Sequence, residues 1–307
     1  MSIIIETKNL TKKFGDFIAN NNINIQVENQ EIKCIVGENG AGKSTLMNML
    51  YGVHKPTSGK ILLNGKELVM NSPTDAIRNG IGMVHQHFKL VPSLSVYENI
   101  LLGSEITKRG LIDRRVEIEK VKKLIEQYHF QIDPMDKIQD ISVGLCQQVE
   151  ILKMLYRNVD ILILDEPTAV LTPQEVDQLM ENLMALRDQG KTIIVITHKL
   201  REVMYMSDSV TVIKSGQVIG NVKTKDTNET ELAQMMVGRD VVLTVRNEAG
   251  PKPQDVEAYR VENICTVNDA NQEILHNVSL SVRKGEVLGI AGVEGNGQSE
   301  LIKVLTG

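Results

Sequence analysis

The run Gly37-Glu38-Asn39-Gly40-Ala41-Gly42-Lys43-Ser44-Thr45 fits the pattern G-x-x-x-x-G-K-[ST] at Gly37, Gly42, Lys43 and Ser44. Glycines let a backbone curl so that successive N–H groups point at phosphate oxygens. A helix starting near Lys43 adds its positive dipole end. In such a loop the lysine neutralises β/γ-phosphates and the Ser44 hydroxyl is placed to ligate Mg2+. Ile32-Lys33-Cys34-Ile35-Val36 reads as a buried strand before the run, and Ser44 to Tyr51 reads as a helix after it. Strand, glycine-rich loop and helix thus follow in the order that a nucleoside-triphosphate cradle requires.

On either side, short apolar runs alternate with helical ones. Ile81–Val84, Ile161–Leu164 and Thr192–Ile196 read as strands buried on both faces. Asp113–His129 and Pro173–Arg187 read as amphipathic helices, the second with Thr172 as N-cap and Pro173 in its first turn. This alternation predicts an α/β domain with a mainly parallel core sheet. Residues from about 90 to 140 predict an inserted helical subdomain, and Val210–Ile213 with Gln217–Ile219 predict a hairpin around Ser215-Gly216. Charge, two prolines and a glycine at Arg246–Gln254 mark a linker.

Beyond the linker the chain repeats itself. Asn277–Val282 echoes Asn22–Val27, and Glu286–Gly307 echoes Glu31–Gly52. At constant spacing Gly292, Gly295, Gly297, Ser299, Leu301, Leu305 and Gly307 fall on Gly37, Gly40, Gly42, Ser44, Leu46, Leu50 and Gly52. This is a tandem repeat of a whole domain whose second copy stops just after its phosphate loop. The expected organisation is a first domain over 1–245, a linker over 246–255 and the N-terminal part of a degenerate second copy over 256–307. Because roughly fifty residues do not complete a fold of this class, a truncated product is expected.

Composition narrows the functions. A net charge of −5 over 307 residues argues against nucleic acid as a partner, which would favour a basic face. Aromatics at 3% with no Trp disfavour base-stacking platforms. No apolar run reaches the ~18 residues of a spanning helix, and the N-terminus lacks a secretory layout. Cys34, Cys146 and Cys265 lie far apart without metal-type spacing, which fits a reducing cytoplasm.

Ile161-Leu-Ile-Leu-Asp165-Glu166 ends an apolar strand on two acids, at the edge where α/β folds bind ligands. Asp165 there can hold Mg2+, and Glu166 can polarise an attacking water as general base. With these motifs in order, the chain resembles the ATP-binding subunits of ABC transporters over essentially its whole length. The resemblance implies a P-loop ABC-type ATPase domain: an α/β fold with a mainly parallel core sheet, an antiparallel β part and the helical insert, followed by the start of a second copy. It implies ATP and Mg2+ at Gly37–Thr45, Gln86 and Asp165. His198, after Thr197, falls where the family has a histidine contacting the γ-phosphate. Gln86 falls on the family's glutamine, which senses Mg2+ and the attacking water. Phe14 falls where an aromatic stacks on adenine. Ile141–Val149 occupies the place of the Leu-Ser-Gly-Gly-Gln signature, with Ser142 and the Gly144 backbone opening a helix aimed at the γ-phosphate of a partner's ATP.

Some residues depart from the pattern. Val143 replaces a signature glycine, Leu145 its glutamine and Gln148 a common arginine, while Thr172 stands where an aspartate is usual. Branches that import simple sugars and nucleosides carry such changes and fuse two ATPase halves. Met83–Leu90, Val149–Lys153 and Asp165–Glu175 look most like the nucleoside branch, with ribose/galactose-type importers as the alternative. In the second loop Gln298 stands where Lys43 stands in the first, and Glu294 adds a negative charge. The resemblance implies a peripheral subunit on the cytoplasmic face of the membrane. Its partners would be transmembrane permease subunits, indirectly a solute-binding protein, and a second ATPase half or another chain. The helical insert would dock the permease, and the signature that closes over Gly37–Thr45 would lie beyond Gly307. A soluble tandem ATPase acting on ribosomes or DNA and a nucleotide-binding module without turnover are the other classes. The charge balance opposes the first and Glu166 the second.

Overall fold

The structure is a computed structural model that describes residues 2–86, 88–108, 111–238, 254–267, 273–292 and 296–307. His87, linker residues 246–253, Glu294 and Gly295 lie outside the described residues. The chain divides into two compact units, Met1–Val241 and Val242–Gly307.

The first unit opens with β1 (Ile3–Phe14), β2 (Phe17–Ile23), β3 (Gln26–Glu28), β4 (Ile32–Val36) and α1 (Lys43–Leu50). Next come β5 (Ser58–Leu63), β6 (Lys66–Glu67), α2 (Pro73–Arg78) and β7 (Ile81–Val84). The insert holds α3 (Val96–Leu101), β8 (Thr107–Lys108), β9 (Leu111–Ile112) and α4 (Arg114–Gln127), and α5 (Val143–Tyr156) follows it. The chain returns through β10 (Ile161–Asp165), α6 (Pro173–Asp188), β11 (Thr192–Ile196), α7 (Leu200–Met206), β12 (Ser209–Lys214), β13 (Gln217–Lys223) and α8 (Glu229–Val237).

The core sheet runs β13-β12-β4-β11-β10-β7, parallel except for β13, which returns antiparallel on β12. A second, antiparallel sheet runs β2-β1-β5-β6, with β3 also on β1. Alternation along each parallel strand feeds two cores. Ile32, Cys34 and Val36 face one core with Val149, Ile151 and Leu183, while Ile35 faces the other with Leu46, Met47 and Ile61. Leu162 and Leu164 against Ile161 and Ile163 divide the same way. These strands read as continuous apolar runs because both faces are covered. Each fully buried Leu or Ile contributes about 1.5–3 kcal/mol as an upper figure.

The helix boundaries follow from caps. Thr172 accepts from the Glu175 N–H while the Glu175 carboxylate accepts from the Thr172 N–H, and Pro173 needs no partner for its missing N–H. Asp113 caps α4 through the Val116 N–H. The insert is less uniformly helical than its sequence predicts, because Thr107–Lys108 and Leu111–Ile112 pair as a small antiparallel hairpin.

The second unit holds β14 (Glu257–Val267), β15 (Glu273–Arg283) and α9 (Gln298–Thr306), with the two strands antiparallel. Residues 287–291, which echo β4, form no strand, and Val287 is 96% exposed. In the first unit β4 is bonded between β11 and β12, and the described residues of the second unit contain no counterpart of either.

Candidate functional site

Three strand ends of the core sheet build the site, as expected for a parallel sheet whose carboxyl edge carries the loops. From β4 the loop turns through Gly40 (φ +80°) and Gly42 (φ +99°), both in the left-handed region. Gly42 is the N-cap of α1. A Cβ there would overlap the Ala19 carbonyl and stand 2.7 Å from Asn20 Nδ2, so only glycine fits. A Cβ on Gly37 would overlap the Ile213 carbonyl, whereas one on Gly40 would meet nothing within 4 Å. The loop is therefore braced at both ends and open in its middle.

Beside it lies a cavity of about 490 Å³ lined by Phe17, Ala19, Asn39, Gly40, Gly42, Lys43, Ser44, Thr45, Gln86, Asp165 and Glu166. Lys43 is only 5% exposed, and its ammonium folds back to donate to the carbonyls of Gly37 (2.8 Å) and Glu38 (3.0 Å). Burial pushes the Lys43 ammonium below the usual lysine range, opposed by the carboxylates of Glu166 and Asp165. Burial likewise raises the Asp165 carboxyl, with the Glu166 charge adding to it and the Ser44 hydroxyl and Lys43 opposing. Both groups carry their charges at a cost that a matching ligand would relieve.

Glu166 follows β10 with φ +45°, a strained conformation for a side-chain-bearing residue. Its N–H donates to the Ile196 carbonyl (3.0 Å), and its Oε1 stands 3.2 Å from Nδ1 of His198. The loops after β10 and β11 are thus joined at the site. Behind them Lys199 Nζ donates to the Thr168 carbonyl (2.8 Å) and the Thr168 hydroxyl to Glu202 (2.8 Å).

The structure brings together Asn39, Gly40, Gly42, Lys43, Ser44, Thr45, Gln86, Asp165 and Glu166, with His198 on Glu166. Gly37, Glu38 and Ala41 support the loop from behind: the Glu38 carbonyl accepts from the Ala41 N–H (3.1 Å), and the Ala41 carbonyl accepts from the Gly216 N–H (3.0 Å). Phe14 does not line the cavity; it meets the His54 ring edge-on, centroids 5.4 Å apart, with Lys12 over its face. The lining aromatic is Phe17, two positions from Ala19 on β2 and paired with Phe14 across the turn. The signal that could have found it is the period-two alternation of Phe17 and Ala19.

Ser142 and Gly144 lie apart from this cavity, at the start of α5. The Ser142 hydroxyl (2.9 Å) and the Gly144 N–H (3.1 Å) both donate to Oε1 of Glu175, whose Oε2 accepts from the Thr172 N–H and hydroxyl (3.0 Å each). One carboxylate thus bridges the positive ends of α5 and α6. Although burial works against it, hydrogen bonds from Thr172, Ser142 and Gly144 hold the Glu175 carboxyl below the usual range. Thr172 suits this bridge because it donates, whereas an aspartate there would repel Glu175.

The donor chemistry fits a triphosphate with a hard cation. The Ser44 hydroxyl, Asp165 carboxylate and Gln86 amide offer oxygen ligands, as Mg2+ prefers. Among the described residues no cluster of three His/Cys/Asp/Glu side chains forms a metal cage. In the second unit Gly297 (φ +89°) caps α9 as Gly42 caps α1, and a cavity of about 630 Å³ is lined by Gly292, Gly297, Gln298, Ser299 and Glu300 among others. The glycine cap is kept there, and an amide stands in the lysine's place.

Residues 20–169 match the ABC transporter family. The chain is 49% identical over 307 residues to the guanosine import ATP-binding protein NupO of Bacillus subtilis, covering 100% of this chain and 60% of that protein. It is 44% identical over 331 aligned residues to the glucose import ATP-binding protein TsgD13 of Haloferax volcanii, covering 99% of this chain and 60% of that protein. The chain thus spans about 60% of the length of these curated relatives. Among solved structures, the ADP conformation of MJ1267, an ATP-binding cassette of an ABC transporter, superposes with a TM-score of 0.68 at 26% identity, covering 78% of this chain and 100% of that one.

Proposed function

We propose, from the premise that this chain carries an ABC transporter ATPase domain of the P-loop α/β fold, that it binds ATP with Mg2+ at the cavity beside Gly37–Thr45 and belongs to a nucleoside importer. The convergence of Lys43, Ser44, Gln86, Asp165 and Glu166 on one cavity carries the nucleotide reading. Loop N–H groups and the α1 N-terminus would hold the phosphates, and Lys43 would leave the Gly37 and Glu38 carbonyls for them. Mg2+, held by Ser44 and Asp165 with Gln86 beside it, would neutralise charge developing on the phosphates. Glu166 would take the proton of an attacking water, held in place by His198 and the strained backbone. Ser142 and Gly144 lie outside the lining of this cavity, which supports a role toward a second nucleotide-bearing domain, either another half of a longer protein or another chain.

The identity to a guanosine import protein supports nucleosides over sugars as the transported class. Among the described residues no helix is long and apolar enough to cross a membrane, and the relatives' names, import ATP-binding proteins, support permease subunits as the transport partners. The domain would then work as a peripheral protein on the ATP-containing side of the membrane. Equilibrium titration of the purified chain with ATP, with and without Mg2+, tests the site. Uptake of labelled guanosine against ribose, in cells carrying the chain's full-length gene and its permease, tests the solute. Ribose uptake without guanosine uptake would overturn the nucleoside assignment while leaving the ATP site standing.

A further inference from the structure

Two stretches singled out in the sequence, Met83–Leu90 and Val149–Lys153, meet in the structure at a contact that none of the roles above uses. The Lys89 backbone N–H donates to Oε1 of Glu150 at 2.6 Å, and the Lys89 carbonyl accepts from Nζ of Lys153 at 3.2 Å. Glu150 and Lys153 lie one turn apart on α5, with Oε2 and Nζ 3.8 Å apart and side chains only 6% and 12% exposed. One helix therefore grips both backbone polar groups of one residue, as a neighbouring strand would. Phe88 and Leu90, on either side, pack against the core that contains Val149 and Ile151. On the other side of Gln86, the His85 ring meets the Tyr51 ring edge-on with centroids 6.2 Å apart. Tyr51 is the C-cap of α1. Gln86 thus hangs between two anchors: the end of α1, which starts at Lys43, and the body of α5, which starts beside Ser142.

We propose that Glu150 is a positioning residue for Gln86. Through the Lys89 peptide it fixes where the Gln86 amide stands over the cavity. The proposal rests on the MgATP reading of the cavity. A truncated Glu150 leaves the part-buried Lys89 N–H without its partner and loosens the hold on Lys89, and displacement of a positioned group by about an ångström can cost up to ~10²-fold. Glu150→Gln keeps an oxygen acceptor on a side chain of the same length and should rescue the position.

The test reads amide exchange at Lys89 and ATP affinity with Mg2+ and with EDTA, using a fluorescent ATP analogue on the full chain. In Glu150→Ala, exchange at Lys89 should accelerate and the gain in affinity conferred by Mg2+ should fall about tenfold, with Mg2+-free affinity unchanged. Glu150→Gln should restore both. Gln86→Ala should lose the same Mg2+ gain without altering Lys89 exchange, and the double variant should lose no more than either single one. Lys153→Ala, which removes the carbonyl grip and the ion pair to Glu150 but leaves the bond from the Lys89 N–H to Glu150, should show the Glu150→Ala pattern at smaller amplitude and carries the test if Glu150→Ala does not fold. Unchanged Lys89 exchange in Glu150→Ala, an unchanged Mg2+ gain in Glu150→Ala or Lys153→Ala, or multiplying losses in the double variant would each overturn the proposal. A wild-type chain that binds no ATP would refute the nucleotide reading and the positioning role with it, while exchange at Lys89 would still report the clamp.

Discussion

Replacing Gly42 by alanine should damage the site from inside the fold, by an amount the structure allows to be worked out. At φ +99° an L-residue pays about 1–2 kcal/mol of backbone strain. The new methyl would also overlap the Ala19 carbonyl and press on Asn20 Nδ2, so β2 must retreat. That retreat breaks the 3.1 Å bond from Asn20 Nδ2 to the Gly42 carbonyl. Asn20 is fully buried, and its Oδ1 already has no hydrogen-bond partner, so the amide would be left wholly unpaired at roughly 1–3 kcal/mol. The total is about 2–5 kcal/mol against a typical stability of 5–15 kcal/mol. Gly40→Ala is the internal control: φ is +80° there too, but its methyl meets nothing, so only the strain remains. Urea unfolding of both variants should show Gly42→Ala less stable than Gly40→Ala by about 1 kcal/mol or more, with unchanged m-values. Equal losses in the two would refute the argument that β2 braces the phosphate loop.

Other outcomes follow from the same geometry. Glu175→Gln should destabilise the chain by about 1–2 kcal/mol, because a charge shared by two helix ends becomes a neutral amide. Since the folded-state pKa of Glu175 lies below its ordinary value of 4.5, its contribution is present above pH 4.5 and is lost as pH falls through the lowered value; a variant-minus-wild-type stability difference that shrinks in that acid window is the check. Glu166→Gln should leave ATP binding intact and lower turnover by roughly 10²–10⁴-fold in a protein competent for hydrolysis, measured by phosphate release. Phe17→Ala should weaken ATP binding by about 1–3 kcal/mol while Phe14→Ala changes it little, and a larger loss in Phe14→Ala would return the base to the position expected from the sequence.

The phosphate loop was legible because it is contiguous: the residues that bind, turn and start the helix are neighbours in the chain. Asp165 was legible for a related reason, since an apolar run marks a buried strand and its last residue marks the sheet edge where ligands sit, whereas His198, two residues past its strand, was pointed to only by the family resemblance. What could not be read depends on distant residues meeting. Whether Phe14 or Phe17 faces the cavity is decided by how the β1–β2 hairpin lies against the loop, and either aromatic satisfies the local pattern. The Glu175 bridge spans more than thirty residues to Ser142 and Gly144, and the capping box at Thr172 gives no hint that the same carboxylate also serves α5. Residues 287–291 repeat the apolar character of β4 without forming its strand, since a parallel strand needs hydrogen-bonding neighbours that its own sequence does not supply.

Titration calorimetry of the purified chain with MgATP tests the central claim most directly, run on wild type, Lys43→Ala and Gln298→Ala. The account predicts one ATP per chain in wild type and in Gln298→Ala, and loss of that binding in Lys43→Ala, because the first loop presents a lysine to the phosphates and the second an amide. Two equal sites, or binding that survives Lys43→Ala and disappears in Gln298→Ala, would contradict it.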